Sequence, residues 1–230
     1  MRLQPDRACV IPALDAAGSL GDVVRRVRAA MPRLRVIVVD DGSRDATRRV
    51  AEDCADAVIG LDRNRGKGAA LRAGFRLALE QGSQEIATLD ADGQHDPAWL
   101  PAAFAALTSA DIAVGSRARA GSSMPWPRRT TNRLASVAVS WCARQAIPDS
   151  QSGFRAFRAG VLARTAFGDW AGDRYEYETA LLVRAARAGC RITHVPVPTE
   201  YARHGVSHFR PLRDSFRVVR TIGWSVVHFG

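Results

Sequence analysis

Residues 35–43 form a β-branched run that ends at two acidic residues: Arg35-Val36-Ile37-Val38-Val39-Asp40-Asp41-Gly42-Ser43. An uninterrupted run of this kind is typical of a parallel strand that is buried on both faces. The acidic pair and the glycine mark the point at which the strand ends. The stretch therefore predicts one strand of a buried parallel sheet, with polar side chains at its carboxyl end.

Helix and strand patterns alternate on both sides of this run. Further strands are predicted at 8–11, 57–59, 85–89 and 111–114, and helices at 18–30, after residue 43, at 67–81 and at 97–108. This alternation predicts an α/β fold with a mostly parallel sheet and helices on both faces. The second half is less regular, with helices predicted at 128–146 and 176–189 and a strand at 191–197.

The composition is that of one folded domain. The chain has 230 residues, of which 47% are hydrophobic, enough to bury a full core. We assign residues 1–205 to a catalytic domain and residues 206–230 to a basic amphipathic C-terminal segment without a transmembrane helix. The apolar runs fall far short of the ~18–20 residues that span a bilayer. Residues 1–10 lack a long apolar stretch, so we expect a cytoplasmic protein.

Positive charge is concentrated in the second half of the chain. Residues 115–230 carry 18 Lys and Arg against 7 Asp and Glu, whereas residues 1–114 carry 15 against 16. Such asymmetry indicates an anionic partner. The alternative is compositional, because the basic residues are 32 Arg and a single Lys. No nucleic-acid-binding signature is present, so we expect no nucleic-acid partner, and a basic nucleic-acid-binding protein stays the alternative from a different functional class.

Three polar clusters follow predicted strands, where open α/β sheets bind their ligands. They are Asp40-Asp41, Asp90-Ala91-Asp92 and Gly115-Ser116-Arg117. Asp90 and Asp92 lie just past a strand, where a turn of the chain lets both carboxylates reach one cation, and Gln94 adds a neutral oxygen. Hard oxygen ligands suit Mg²⁺ or Mn²⁺ shared with a diphosphate. The alternative is a pair of solvated turn aspartates.

Two common nucleotide-binding motifs are absent from the sequence. No GxGxxG follows the first strand and no GxxxxGK[ST] occurs. Their absence argues against a dinucleotide-binding dehydrogenase and against a P-loop NTPase. Gly66-Lys67-Gly68 is either a phosphate-binding loop or a loop that starts the following helix.

Five motifs follow one another along the chain in a fixed order. They are Val38-Val39-Asp40-Asp41-Gly42-Ser43, Arg65-Gly66-Lys67-Gly68, Asp90-Ala91-Asp92-Gly93-Gln94-His95-Asp96-Pro97, Gly115-Ser116-Arg117 and Asp149-Ser150-Gln151-Ser152-Gly153-Phe154-Arg155. The series resembles family 2 glycosyltransferases of the GT-A fold, in the branch of dolichyl- and polyprenyl-phosphate sugar synthases. The resemblance runs from about residue 10 to residue 209 and implies a Rossmann-like central sheet.

The resemblance also implies a role for each matching residue. The donor-binding residues would be Pro12, Leu14, Asp41, Lys67, Asp90, Ala91, Asp92, Gln151, Arg203 and His208. The metal ligands would be Asp90, Asp92 and Gln94. The catalytic residues would be Asp92, Asp149 and Arg117, and the acceptor phosphate would be bound by Arg117, Arg128, Arg129 and Arg133. Asp149, Gln151, Ser152 and Gly153 would line the sugar pocket, and residues 176–178 would bring a helix-borne acidic pair near the site.

The implied reaction is inverting transfer of a hexose from GDP-mannose or UDP-glucose to a polyprenyl-phosphate-type lipid, with Mg²⁺ or Mn²⁺. A phosphate acceptor is already ionised at neutral pH and needs no strong base. A hydroxyl acceptor stays open as an alternative and would need a base, for which Asp149, Glu176 and Glu178 are candidates. The segment 149–155 argues against a nucleotidyltransferase or a retaining transferase with the same carboxylate pair.

Segments 128–146 and 212–229 are basic and amphipathic. They predict contact with an anionic membrane surface, which would make the protein peripheral on the inner face of the plasma membrane. The alternative is that these apolar faces pack on the sheet or in a homodimer.

The sequence departs from the family pattern at two places. Asp15-Ala16 stands where Asn-Glu is usual, which affects one nucleotide contact. His208 stands where a Lys usually follows Ser207, and its distance from Arg203 along the chain is one residue shorter than usual. An unperturbed His titrates near pH ~6.5, so the charge at this point would depend on pH.

Overall fold

The computed structural model describes residues 4–117, 126–165, 172–174 and 176–198. The strands are β1 Gln4–Ala13, β2 Leu34–Asp40, β3 Ala57–Gly60, β4 Glu85–Thr88, β5 Ile112–Ser116, β6 Arg155–Arg158 and β7 Ile192–Pro196. The helices are α1 Leu20–Ala30, α2 Thr47–Cys54, α3 Lys67–Glu80, α4 Leu100–Ala106, α5 Trp126–Ala143, α6 Ala159–Thr165 and α7 Glu176–Arg187. A 3₁₀ turn, Pro97–Trp99, precedes α4.

The strands form one seven-stranded sheet in the order β3-β2-β1-β4-β6-β5-β7. The pairs β1–β2, β1–β4, β2–β3 and β5–β7 are parallel, and β6 runs antiparallel to both of its neighbours. The predicted α/β class with a mostly parallel GT-A-type sheet is confirmed.

Two apolar cores lie on opposite faces of the sheet. Alternate residues of β1 belong to different cores, Ala8 and Val10 to one and Cys9 and Ile11 to the other, because side chains alternate across a strand. Helices α3, α5, α6 and α7 cover the first face, and α1, α2 and α4 cover the second. The continuous apolar pattern of β1 and β2 therefore follows from burial on both sides.

The chain order reverses direction next to β1. The chain runs from β1 outward through β2 and β3, then returns to form β4 on the other side of β1. In open α/β sheets, ligands bind outside the carboxyl ends of the strands at such a switch point. The topology therefore directs attention to the residues that follow β1 and β4.

The strands and helices predicted from periodicity are all present within the described residues, with ends shifted by a few residues. The predicted helix 97–108 begins instead as the 3₁₀ turn. β6 and α6 were not predicted. β6 has only four residues and contains two arginines, so it lacks the apolar run by which β2 was recognised. The proposed segment 206–230 lies outside the described residues.

No helix within the described ranges is both long and apolar enough to cross a bilayer.

Gly74 of α3 gives a test of the packing between this helix and the sheet. A Cβ at this position would collide with the side chain of Val10 and would lie 3.2 Å from that of Val39. We expect Gly74→Ala to lower the free energy of unfolding by about 1–3 kcal/mol, although alanine is otherwise the better helix former. Urea unfolding measures the change.

Gly160→Ala in α6 is the matched control, because nothing lies within 4 Å of the added carbon. This variant should be neutral or more stable by up to about 1 kcal/mol. Equal effects at the two glycines would contradict the packing described for α3.

Candidate functional site

The carboxyl ends of four strands bring predicted site residues to one edge of the sheet. β5 runs in the same direction as β4, because both are antiparallel to β6. Leu14, Asp41, Asp90 and Arg117 follow β1, β2, β4 and β5 respectively. Pro12 is buried near the end of β1, and Leu14 is half-buried. Residues that are distant in sequence thus share one edge.

Asp41 ties the end of β2 to the loop before α3. Its buried carboxylate accepts hydrogen bonds from the backbone N–H groups of Arg65 and Gly66, both at 2.8 Å. Burial raises the pKa of the Asp41 carboxyl, although these two hydrogen bonds oppose the shift. Gly66 has φ of 105°, a conformation that favours glycine, and it directly precedes α3. Gly66-Lys67-Gly68 therefore starts α3, and its role as a phosphate-binding loop stays a prediction.

Lys67 bridges two carboxylates from different parts of the fold. Its Nζ lies 2.6 Å from Asp90 Oδ1 and 2.8 Å from Glu178 Oε2. Burial by itself lowers the pKa of Lys67, but the two carboxylates outweigh burial and hold the pKa above its usual range. Burial conversely raises the pKa of Asp90, and Lys67, with smaller contributions from His95 and Arg155, brings it below the usual value. The ion pair with Lys67 thus keeps the Asp90 carboxylate charged.

Gly153 makes room for the Asp90 carboxylate. A Cβ at this position would collide with the carboxylate of Asp90. The backbone oxygen of Gly153 accepts a hydrogen bond from Thr88 Oγ1 at 2.9 Å. The segment predicted to line the sugar pocket is therefore packed directly on the end of β4.

Asp92 differs from Asp90 in its electrostatic surroundings. It is half-buried and accepts a hydrogen bond from the backbone N–H of Gln94 at 3.0 Å. Burial first, and then the negative charge of Asp90, raise the pKa of Asp92 to about 6. The turn is held from outside by Ser19, whose hydroxyl donates to the backbone oxygen of Ala91 at 2.7 Å. A cation beside Asp92 would favour its ionised form.

The donor set fits a divalent ion that is only partly held by protein. Asp90, Asp92 and Gln94 offer oxygen atoms on one turn. Within the described ranges, no group of three or more His, Cys, Asp or Glu side chains could hold a metal ion. Mg²⁺ usually keeps waters and binds through one or two carboxylates plus substrate phosphates. The turn suits such a shared site.

Arg117 and Asp149 form a buried, two-pronged ion pair. Arg117 Nε and Nη2 donate to the two Asp149 carboxylate oxygens at 2.8 and 2.7 Å, and the backbone N–H of Arg117 donates to Oδ2 at 3.0 Å. Parallel hydrogen bonds of this kind fix orientation as well as charge. Two of the three residues predicted as catalytic therefore lie together at the end of β5.

Arg155 is the last residue of the motif 149–155, and the sequence predicts no role for it. Its side chain is 2% exposed and donates to three backbone oxygens, those of Ser152, Glu178 and Ser150, at 2.8, 2.7 and 3.0 Å. Its Nη2 also lies 3.8 Å from Glu178 Oε1. Arg155 therefore joins the segment 149–153 to the first turn of α7. The signal in the sequence is a charged residue inside an otherwise apolar run, Phe154 to Phe157.

His95 is a second residue that received no predicted role. It is buried, its ring meets that of Phe154 edge-on at 6.0 Å, and its Nδ1 has no hydrogen-bond partner in the described structure. Burial lowers the pKa of His95 to about 4, against the opposing charge of Asp90. His95 is therefore neutral at pH 7 and packs beneath the turn.

The remaining predicted residues are placed less closely or not at all. Gln151 donates to Ser150 Oγ and Thr179 Oγ1 at 3.2 and 3.4 Å. Arg133 is exposed on α5. Arg128 and Arg129 belong to α5, but their side chains are outside the described set, as are Arg203 and His208 altogether. The structure thus brings the residues that were predicted to bind donor and metal, from Pro12 to Gln151, to one edge of the sheet. The late basic motif, Arg203 and His208, lies outside the described residues and stays a prediction.

Comparison with known proteins gives consistent matches. The family described as Glycosyl transferase family 2 matches residues 8–165. The undecaprenyl-phosphate mannosyltransferase of Micrococcus luteus is 35% identical over 198 residues, covering 82% of this chain and 81% of the relative. The polyprenol monophosphomannose synthase of Mycolicibacterium smegmatis is 32% identical over 208 residues, covering 86% and 78%.

A solved structure shares the fold. Glucosyl-3-phosphoglycerate synthase from Mycobacterium tuberculosis, in complex with Mn²⁺, UDP and glucosyl-3-phosphoglycerate, superposes with a TM-score of 0.73. It is 20% identical, and the match covers 96% of this chain and 79% of that chain. At this identity the similarity establishes the fold and not the substrate.

Arg155→Lys tests whether the buried guanidinium holds the site together. An ammonium group cannot reach three separate carbonyl oxygens, and buried acceptors that lose a charged donor are costly. We expect the free energy of unfolding to fall by about 3–5 kcal/mol in denaturant titrations.

Arg158→Lys is the control on the same strand, because Arg158 is exposed and its guanidinium donates hydrogen bonds to a single backbone oxygen, that of Leu107. We expect a loss of about 1 kcal/mol or less. A loss at Arg155 no larger than that at Arg158 would contradict the structural role.

Proposed function

The chain belongs to glycosyl transferase family 2 and is a glycosyltransferase, and from that premise we propose that it transfers a hexose from a nucleotide sugar to a polyprenyl-phosphate-type lipid. GDP-mannose and UDP-glucose are the proposed donors. Two relatives, an undecaprenyl-phosphate mannosyltransferase and a polyprenol monophosphomannose synthase, support the acceptor class. We propose Mg²⁺ or Mn²⁺ as cofactor, as the Mn²⁺ and Mg²⁺ complexes of a structural neighbour support.

The observation that carries the proposal is the unequal carboxylate pair at the switch point of the sheet. Asp90 is neutralised by Lys67, whereas Asp92, with a pKa raised to about 6, lacks a cation of its own among the contacts described. A divalent ion held by Asp90, Asp92 and Gln94 would supply positive charge to the departing nucleoside diphosphate. The geometry of the turn would then set where the donor lies.

The proposed chemistry is direct displacement with inversion. An acceptor phosphate oxygen would attack the anomeric carbon, and the bond from that carbon to the diphosphate oxygen would break as the new bond forms. Arg117 would orient the acceptor phosphate, held in place by Asp149. We assign the late basic residues Arg203 and His208 to the donor diphosphate as a proposal on sequence grounds.

The alternative acceptor is a hydroxyl group, which would need a general base. Two of the candidate bases are already engaged, Asp149 by Arg117 and Glu178 by Lys67. Each of these carboxylates already has an oxygen in contact with a cation, Asp149 at 2.7 Å and Glu178 at 2.8 Å. The ion pairs therefore favour an acceptor that is ionised beforehand.

A lipid acceptor also places the reaction at a membrane surface. We propose that the protein acts there as a peripheral protein on the cytoplasmic side. The excess of basic residues in segment 115–230 supports this location.

A donor screen tests the function directly. Nucleoside diphosphate release would be followed with GDP-mannose and UDP-glucose, with Mg²⁺ or Mn²⁺, and with short-chain polyprenyl phosphate or the matching polyprenol as acceptor. We expect release that depends on the polyprenyl phosphate, and NMR should show inverted configuration in the product. Equal turnover with the polyprenol would favour the hydroxyl alternative.

Asp92→Asn tests the metal assignment. The variant keeps the shape of the side chain but removes its charge, so kcat/KM should fall by about 10²-fold or more. EDTA should abolish activity of the unmodified protein, and added Mg²⁺ or Mn²⁺ should restore it. If the variant transfers sugar as fast as the unmodified protein, the assignment of Asp92 as a metal ligand is wrong.

Asp96→Asn is the control in the same loop. Asp96 caps the 3₁₀ turn through Ala98 N–H and pairs with Arg26, and asparagine is an equally good cap. Its kcat/KM should stay within about threefold of the original value, since surface pairs contribute little.

Arg117→Lys tests the acceptor contact. A lysine offers a point charge in place of the two-pronged guanidinium. The KM for polyprenyl phosphate should rise about tenfold or more, while the KM for the nucleotide sugar changes little. The reverse pattern would place Arg117 on the donor side.

A further inference from the structure

Helix α5 carries a row of large apolar side chains that face solvent. Leu134 is 68% exposed, Val137 62% and Trp141 78%, and their spacing of three and four residues puts them on one face. Among the residues that the structure describes, these are the large hydrophobic side chains that stand exposed. Contiguous apolar surface of this kind marks an interaction site.

The exposed row is a second face of α5, and the helix is already packed through its other face. Val139, Cys142 and Ala143 of α5 are buried in the core. Ser140 accepts a hydrogen bond from the backbone N–H of Ile147 at 2.9 Å. Because α5 is anchored in this way, the outward row is not a displaced part of the core.

The charge around the row is positive. Arg133 and Arg144 are exposed beside it, and α5 contains no Asp or Glu between Trp126 and Ala143. A surface that combines exposed Leu, Val and Trp with arginine and lacks acidic groups is complementary to an anionic bilayer, in which acyl chains lie beneath negative headgroups. It is a poor match for a second copy of itself, because two such faces would bring like charges together.

The inner face of α5 supports the acceptor side of the candidate site. Ser136 Oγ accepts a hydrogen bond from Ser150 N–H at 3.1 Å and lies 3.3 Å from Ser150 Oγ. Ser150 follows Asp149, which holds Arg117. One helix therefore presents an apolar cationic face outward and supports the proposed phosphate-binding pair inward.

We propose that the outward face of α5, formed by Leu134, Val137 and Trp141 with Arg133, docks on an anionic lipid bilayer together with Arg144, which lies just past the end of the helix. The inference rests on the proposed function in one respect, since docking would bring a membrane-embedded lipid phosphate to the site. The bilayer contact itself stands on the exposed row and its charge.

The test compares the full chain with the triple variant Leu134→Ser/Val137→Ser/Trp141→Ser. Co-sedimentation would be measured with vesicles of phosphatidylcholine containing phosphatidylglycerol, and with phosphatidylcholine alone. The unmodified chain should bind the anionic vesicles more tightly, and the triple variant should lose binding by about 30-fold or more. Ala138→Ser, an exposed small residue on the same helix, is the control and should bind as the unmodified chain does.

Activity on two acceptors separates docking from catalysis. The triple variant should lose transfer to a long-chain polyprenyl phosphate embedded in vesicles in step with its loss of binding, and should keep transfer to a short, water-soluble polyprenyl phosphate. If the unmodified chain binds vesicles through this face but transfers sugar to neither acceptor, the proposed function fails and the docking surface stands.

Four results would overturn the docking surface. The first is unmodified vesicle binding by the triple variant, and the second is no binding of the original chain to anionic vesicles at low salt. The third and fourth results concern other occupants of the row. If the triple variant melts at a lower temperature than the unmodified chain in vesicle-free buffer, residues 199–230 or another part of the chain cover the row. A dimer that becomes a monomer, seen by light scattering, would show that a second copy covers it.

Discussion

The ammonium group of Lys67 is the point on which the site depends. It joins the start of α3 to the end of β4 through Asp90 and to the first turn of α7 through Glu178. Glu178 is shared in turn with the buried guanidinium of Arg155. Charged groups withdrawn from water are costly unless they are paired, so these ion pairs hold the half-buried Asp90 and the buried Glu178 beside Lys67. Gly66 and Gly68 allow the close approach, because a side chain at either position would collide with Asp173, Arg174 or Tyr177.

This network divides two neighbouring carboxylates into different roles. Asp90 has a cation in the protein, and its pKa is held low, whereas the pKa of Asp92 is raised to about 6 by burial and by Asp90 itself. Among the contacts described, the carboxylate of Asp92 therefore has no cation beside it, and this is where the proposed donor diphosphate and its metal ion would lie. On the other side, Arg117 is held by Asp149. The proposed donor would therefore meet carboxylates, whereas the proposed acceptor phosphate would meet a guanidinium group.

Helix α5 connects that chemistry to the surroundings of the molecule. Its inner face supports Ser150, next to Asp149, and its outer face presents Leu134, Val137 and Trp141 to solvent. A single helix can therefore link the proposed docking surface to the position of Asp149 and Arg117, which form the proposed acceptor-phosphate site. The positive charge of the second half, which composition alone could explain by arginine usage, here borders a defined apolar row.

The fold class and six of the seven strands, with ends correct to within a few residues, follow from the sequence alone, because burial periodicity and strand-terminating acidic residues are local patterns. The ordered motifs also predicted that Asp90, Asp92, Arg117 and Asp149 belong to one site. Only the tertiary structure decided how these groups are paired: that Lys67 serves two carboxylates, that Arg117 grips Asp149, and that Arg155 is buried beneath the site. It also revealed the antiparallel strand β6, which is too short and too charged for its periodicity to be recognised. Ion pairs and antiparallel insertions join residues far apart in the chain, and no local pattern records which partner a charge will meet.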